Sequence, residues 1–188
     1  MSDVEEPTVE SGTESGTPED PLLQRLREKV GDALISTHEF RGDRTAILDR
    51  GSLVEACEWL RDDPENQFDM LMDVTAVDYL GRKPRFEVVY HLYSVEKNER
   101  VRIKVALEED DVKIPSVVPV WSGANWLERE TWDLYGIEFE GHPELKRIYL
   151  YEEFEGHPLR KDYPKQQRQP LIGPGAPNGA ASDAESAE

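Results

Sequence analysis

One cysteine, Cys57, stands in a chain of 188 residues. A disulfide within the chain is therefore impossible. A four-cysteine zinc site or iron–sulfur cluster is excluded on the same count. Cys57 sits among Val54, Ala56 and Leu60 and reads as a small buried hydrophobe. Long apolar runs are missing too: no stretch of about 18 apolar residues exists, so no membrane-spanning helix is expected. The acidic start, MSDVEEPTVE, has neither a basic nor an apolar stretch, so a secretory signal is not expected and the chain is expected to stay in the cytoplasm. Bases are scarce. Twenty-two Lys and Arg face forty Asp and Glu, for a net charge of −18. Nucleic acid is an unfavourable partner for such a chain, and so is an anionic lipid surface. Gly81 and Gly173-Pro174-Gly175 lack a following helix and a Lys-Ser/Thr pair, which excludes a phosphate loop. No Gly-x-Ser-x-Gly is present to support a serine hydrolase.

Apolar residues make up only 37% of the chain, low for a globular protein. The deficit falls at the ends. Residues 1–20 hold seven acids and no base, and 180–188 hold three acids and no base. Removing those ten from the forty leaves thirty acids against twenty-two bases, so the middle stands at −8. Residues 1–20 have no aromatic side chain and too little to bury to offset the entropy of ordering; they read as a disordered acidic arm.

Pro21 opens a helix. Leu22, Leu23, Leu26, Val30 and Leu34 recur at helical spacing and predict one apolar face. Between Glu39 and Asp49 the pattern gives a Gly-Asp turn and a short strand, Thr45 to Asp49. Ser52 is positioned to cap a second helix that ends near Asp62 and Pro64, burying Leu53, Cys57 and Leu60 with Val54 and Trp59 beside them. Phe68 to Tyr79 is a candidate strand. Phe86, Val88, Tyr90 and Leu92 alternate with Glu87, Val89, His91 and Tyr93. Val101, Ile103, Val105 and Leu107 alternate in the same way. Polar turns at 81–84 and 97–100 join these strands into an antiparallel meander. Ser122 is placed to cap a helix from about Gly123 to Tyr135, with Gly136 as its stop. The fold class is α+β: a small antiparallel or mixed sheet, two N-terminal helices, one further helix and an extended C-terminal arm. The domain spans 21–136. A turn-rich docking segment follows over 137–165, and a Pro/Gly-rich mobile tail over 166–188.

The densest chemistry lies in ERETWDLYGIEFEGHPELKRIYLYEEFEGHPLRKDYP, residues 128–164. Trp121, Trp126 and Trp132 fall within twelve residues, and aromatic and Arg side chains are favoured anchors at protein interfaces. Two Gly-His-Pro triplets, at 141–143 and 156–158, lie fifteen residues apart. Pro pushes each His to extended geometry and Gly permits a tight turn. Two His with Glu152, Glu153 or Asp162 could hold a metal, but no two ligands share one helical face at i,i+4. Glu130 and Asp133 do share a face and could work as acid and base. The plainer reading is an ion-pair lattice of Glu128, Glu130 and Asp133 with Arg129, Arg147, Arg160 or Lys161. Arg129 and Asp133 also stand at i,i+4. His91 lies opposite the apolar face of its strand, a surface or interface position.

This segment resembles the signature of a subunit family of proton-pumping NADH:quinone oxidoreductase, respiratory complex I, called the thirty-kilodalton subunit in mitochondria. The pattern runs through Glu128-Arg129-Glu130, Asp133, Gly136, Phe139, Gly141-His142-Pro143, Leu145, Arg147, Gly156-His157-Pro158-Leu159-Arg160-Lys161-Asp162 and Pro164. FDMLMDVTAVDY, from Phe68, is similar to the family's first long strand. The resemblance covers roughly residues 20–165. It implies a subunit of the hydrophilic arm, peripheral on the cytoplasmic face of the cell membrane. Such a subunit is docked on the large subunit that forms much of the quinone cavity, near the cluster-bearing subunits. It implies no catalytic residue, metal or cofactor on this chain: NADH is oxidised through FMN and iron–sulfur clusters held by partners. In some bacteria the module is fused to that quinone-site subunit, and the unfused form is expected here. The residues expected at the partner interface are Glu128, Arg129, Glu130, Asp133, His142, Arg147, His157, Arg160, Lys161 and Asp162. The alternatives are the same module in an energy-converting hydrogenase or related dehydrogenase, or a stand-alone acidic adaptor.

Overall fold

The computed structural model describes residues 20–166 together with 168 and 169. The expectations for the acidic arm and for most of the tail lie outside them. Helix α1 spans Pro21–Val30. Asp20 caps it, accepting a hydrogen bond from the Leu22 amide at 2.8 Å, and Pro21 occupies the first turn, where a missing N–H costs nothing. Leu22, Leu23 and Leu26 are buried; each such side chain contributes about 2 kcal/mol of hydrophobic stabilisation. Gly31, at φ 57, ends the helix.

The helical periodicity therefore stops at Val30, four residues short of Leu34. Leu34 is the first residue of a strand, β1 (Leu34–Phe40), which pairs antiparallel with β2 (Asp43–Leu48) through a turn at Arg41-Gly42. The short strand expected at Thr45 thus begins two residues earlier and belongs to a hairpin. Helix α2 covers Leu53–Asp62 and buries Leu53, Ala56, Cys57 and Leu60. Val54 and Trp59 lie half-buried at its side, as the spacing predicts. Ser52 sits at the N-cap position, but its hydroxyl makes no cap bond; Asp49 instead accepts from the Gly51 amide at 2.8 Å, closing the 3-10 turn before the helix.

Strands β3 (Met70–Asp78), β4 (Phe86–Ser94) and β5 (Glu99–Leu107) form the expected antiparallel meander. The β4–β5 turn is residues 95–98, with Asn98 at positive φ. β2 pairs parallel with β5, so the sheet is mixed, in the order β1-β2-β5-β4-β3. Phe86, Val88, Tyr90 and Leu92 turn inward with Val101, Ile103, Val105 and Leu107, and the helices cover that face. His91 lies on the other face, half-buried and opposite Arg102 in the register. Burial and then Arg102 push its pKa down.

β6 (Lys113–Pro115) leads to helix α3 (Ala124–Tyr135), and β7 (Glu138–Glu140) returns parallel to β6. Gly123, not Ser122, takes the N-cap position, and no side chain caps that end. Gly136 ends α3 in the left-handed region, at φ 71. α3 packs along β3, and the Thr131 hydroxyl donates to the Val74 carbonyl at 3.0 Å.

Candidate functional site

Residues 128–163 close on themselves before they present anything outward. Glu128, on the inner face of α3, is 0% exposed. Its carboxylate accepts from the Ser116 hydroxyl at 2.6 Å and the Val117 amide at 2.7 Å. Burial raises its pKa to about 7, against the opposing pull of those two donors. No base pairs with it among these bonds, so Glu128 leaves the expected ion-pair lattice. The reason is position: it faces the turn after β6, where a hydroxyl and an amide are its donors.

Asp133 and Arg129 do not pair with each other, although they stand one helical turn apart. Asp133 is fully buried. It accepts from Arg147 Nη1 at 2.7 Å and from the successive amides of Ile148, Tyr149 and Leu150 at 3.0, 2.9 and 3.0 Å. Burial pushes its pKa up, but the three amides and Arg147 outweigh that and hold it below the usual carboxylate range. Arg129 donates from Nε and Nη2 to the Lys146 and Arg147 carbonyls, each at 3.0 Å, and its guanidinium lies 5.0 Å over the Trp126 ring. Thus two helix residues fasten residues 146–150 onto α3. Arg147 closes the loop by donating to the Phe154 carbonyl at 2.8 Å, between the rings of Trp132 and Phe154.

The Gly-His-Pro triplets are rigid corners. Gly141 and Gly156 both take positive φ, 80° and 90°. His142 Nδ1 accepts from the Glu144 amide at 3.0 Å, so Nε2 carries the proton toward the Asn125 carbonyl, 3.2 Å away. His157 donates from Nδ1 to the Asp133 carbonyl at 2.9 Å. Burial lowers its pKa, and Arg160 and Arg147 lower it further. Arg160 Nε donates to the Tyr135 carbonyl at 2.5 Å, satisfying a carbonyl that the end of α3 leaves open. Gly136 is required here twice over: for its φ, and because a Cβ would lie 2.5 Å from the His157 ring and 2.7 Å from Arg160 Nη2.

Beyond Arg160 a second anchor appears. Arg85, immediately before β4, is 2% exposed. Nε and Nη2 donate to the two carboxylate oxygens of Asp78 at 2.9 Å each, and Nη1 to Glu109 at 2.5 Å. Asp162 meets the same guanidinium at 2.8 Å, and the Lys161 amide donates to Asp78 at 2.8 Å. The Arg85 partnership holds the Asp78 and Asp162 carboxyls below their ordinary values.

Of the ten expected interface residues, Glu128, Arg129 and Asp133 are buried, while Glu130, His142, Arg147, His157 and Arg160 are half-buried. Lys161 and Asp162 are exposed. Sequence reasoning missed Asp78, Arg85, Glu109 and Ser116. The signal for Arg85 and Asp78 was an Arg and an Asp at facing ends of two strands joined by a turn, and Arg82 and Lys83 in that same turn masked which base would pair. Among the described residues, no group of three or more His, Cys, Asp or Glu is placed to hold a metal. Cys57 is fully buried, and burial pushes its thiol pKa up. No helix of the described residues is long and apolar enough to cross a membrane.

The family model described as respiratory-chain NADH dehydrogenase, 30 Kd subunit, matches residues 46–169. The chain belongs to that family. The match takes in the β2–β5 part of the sheet, α3 and the whole fastened segment. A relative from Roseiflexus sp. (strain RS-1), itself a subunit of NADH-quinone oxidoreductase, is 49% identical over 143 residues, 76% of this chain and 82% of its own. A solved trypsin-resistant fragment of Nqo5 is 33% identical, with a TM-score of 0.56, over 66% of this chain and 98% of the fragment. The fold also resembles a chain of a membrane-bound sulfane sulfur reductase, an archaeal respiratory membrane complex. That chain is 23% identical, with a TM-score of 0.64, and the match covers 77% of this chain and 85% of that one. Within the matched range, Glu128, Arg129 and Asp133 of α3 make their bonds from buried positions, and Arg147, His157 and Arg160 make theirs from half-buried ones.

Proposed function

We propose that this chain is a structural subunit of the hydrophilic arm of NADH-quinone oxidoreductase. Its work is positional: it docks on the subunit that forms the quinone site, beside the subunits that carry the iron–sulfur clusters, at the cytoplasmic face of the membrane. FMN and the clusters sit on partners, and this chain takes no part in electron transfer.

The observation that carries the reading is how the signature spends its polar groups. Asp133, Arg129, Arg147, His157 and Arg160 each bond to main-chain groups 7 to 25 residues away in sequence. A turn-rich segment without regular structure is thereby given one shape. Such pre-ordering lowers the entropy lost on association, which suits a surface whose task is to hold two partners in register.

Lys161 is the residue that tests docking most cleanly, because its amide is fixed by Asp78 while its side chain is exposed. Arg160 is less suitable: its guanidinium holds the end of α3, so its loss also disturbs the fold. Lys161→Ala, which adds no like charge beside Asp78, should leave the isolated chain folded and reduce the assembled complex several-fold. Assembled complex is read on a native gel of membranes. Wild-type amounts of complex would overturn the proposal for this side of the segment.

A further inference from the structure

The fastened segment ends in a basic strip. Between Leu159 and Gln169 stand four bases and one acid, in a chain that carries −18. The acid, Asp162, is turned to Arg85, and Arg160 is turned to the Tyr135 carbonyl at the end of α3. Lys161, Lys165 and Arg168 remain. All three are exposed, and none makes an ion pair among the described residues, either with Asp162 or with Glu152, Glu153 and Glu155 of the neighbouring turn. Elsewhere the acid excess absorbs exposed bases: Lys29, Arg50, Lys113 and Lys146 pair with Glu55, Asp111, Glu138 and Glu144. The backbone of the strip is pinned at both ends. At the near end the Lys161 amide donates to Asp78 at 2.8 Å, and the Tyr163 ring stacks on Phe154 with centroids 6.1 Å apart. At the far end the Gln169 carboxamide clasps the main chain of Glu155: it accepts from the amide and donates to the carbonyl, each at 3.0 Å, and its nitrogen also donates to the Tyr163 hydroxyl.

We infer that Lys161, Lys165 and Arg168 form one docking strip for a run of Asp and Glu side chains on a partner protein of the complex. The inference rests on the docking role proposed above and names the chemistry of the surface that the segment meets. Three outward cations without an acid of their own are complementary to carboxylates on another chain. The pins at Asp78 and Gln169 fix the backbone that carries them, so less entropy is lost when they engage. A protein fits the strip better than a membrane or a nucleic acid does. Both of those present anionic charge to the whole chain, which carries −18 and is repelled by it, whereas a partner protein can set its acids against the strip alone.

Trypsin reads the same side chains. Cleavage after Lys165 and Arg168 should fall about fivefold or more between the free chain and the assembled oxidoreductase, as for residues moved from solvent into an interface. Equal rates in the two states overturn the inference. The second measurement returns purified chain to complex depleted of it. The Lys165→Ala, Arg168→Ala double variant keeps Lys161, whose loss tests the docking role by itself. It should enter about tenfold more weakly than wild type at low salt, with an unchanged circular-dichroism melt. Raising NaCl from about 50 to about 300 mM should weaken the wild type more than the variant, since salt screens the lost charges. Entry of the variant at wild-type affinity or better, as when the chain's own acidic arm covers the strip, overturns the strip and leaves the docking role standing. Flotation of the free chain with phosphatidylglycerol vesicles that is lost in the double variant assigns the strip to lipid and overturns it too. Failure of the wild type to enter overturns both strip and docking role.

Discussion

Glu128 shows how far a residue's neighbours can move its chemistry. By sequence it is one acid in an acidic chain. In the fold it is a buried carboxyl with two neutral donors, close enough to Tyr90 from β4 and Cys57 from α2 to raise the pKa of each. Burial pushes both of those groups up further, so neither titrates near neutrality. The consequence for stability has a definite sign. The folded pKa, about 7, lies above the ordinary value of 4.5 that the carboxyl has in the unfolded chain. Between the two, the folded state keeps a proton that the unfolded state has released. Stability from this residue is therefore complete below about pH 4.5 and is lost as pH rises to about 7, an effect on the order of 3 kcal/mol. His157 and His91, whose pKa values burial lowers, act oppositely in part of that window. The difference between Glu128→Gln and wild type isolates Glu128. Gln can still accept from Val117 and donate to Ser116. The variant should match wild type near pH 5 and exceed it by a few kcal/mol near pH 8 in urea unfolding. Equal stabilities across the range would place the Glu128 pKa at its ordinary value in the fold.

At the scale of the element, the sequence read well where one face decides the pattern. β4 and β5 alternate because one side of the sheet is buried, and α2 buries the face its spacing predicts. It failed at α1, because Leu34 sits four residues after Val30 and continues the helical spacing. The Gly31 backbone breaks the helix between them, and Leu34 is buried from a strand instead. It failed again at Ser122 and Ser52, since a capping residue type does not ensure capping geometry. Gly136 was legible as a stop but not as a joint. Its place under His157 and Arg160 depends on residues more than twenty positions away. Gly136→Ala should lose about 1 kcal/mol for the left-handed backbone, and about 1 kcal/mol for each of the displaced His157 and Arg160 bonds. Gly81→Ala is the control. It has the same sign of φ, at 88°, with nothing within 4 Å of its Cβ position, and should lose only the first of these. If the two variants unfold at the same urea concentration, the close approach around Gly136 contributes nothing.

Across the whole molecule, the family signature was legible as a string, while the bonds it makes were not. Arg129 and Asp133 reach loop residues 14 to 18 positions on, and Asp162 reaches Arg85 across 77. Such pairings become visible only when the sheet and α3 have set the distances. Arg85 is where these distances converge: it joins the β3–β4 turn, the loop after β5 and the far end of the signature segment. Its partners are not equivalent. The Asp78 side chain is 1% exposed and that of Asp162 is 50% exposed. Arg85→Ala would leave Asp78 as a buried carboxylate without its cation, a change that costs about 3–5 kcal/mol. Asp162→Ala removes only a solvent-screened partner and should cost under about 1 kcal/mol, because Asp78 and Glu109 still satisfy the guanidinium. Both variants, however, release the segment that Asp162 ties down. Trypsin should therefore cut after Arg160 and Lys161 faster than in wild type in both, although only Arg85→Ala unfolds at clearly lower urea. Wild-type cleavage rates in Asp162→Ala would mean that the bonds from Arg160 to α3 suffice to hold the segment, and that the Arg85 cluster stabilises the sheet alone.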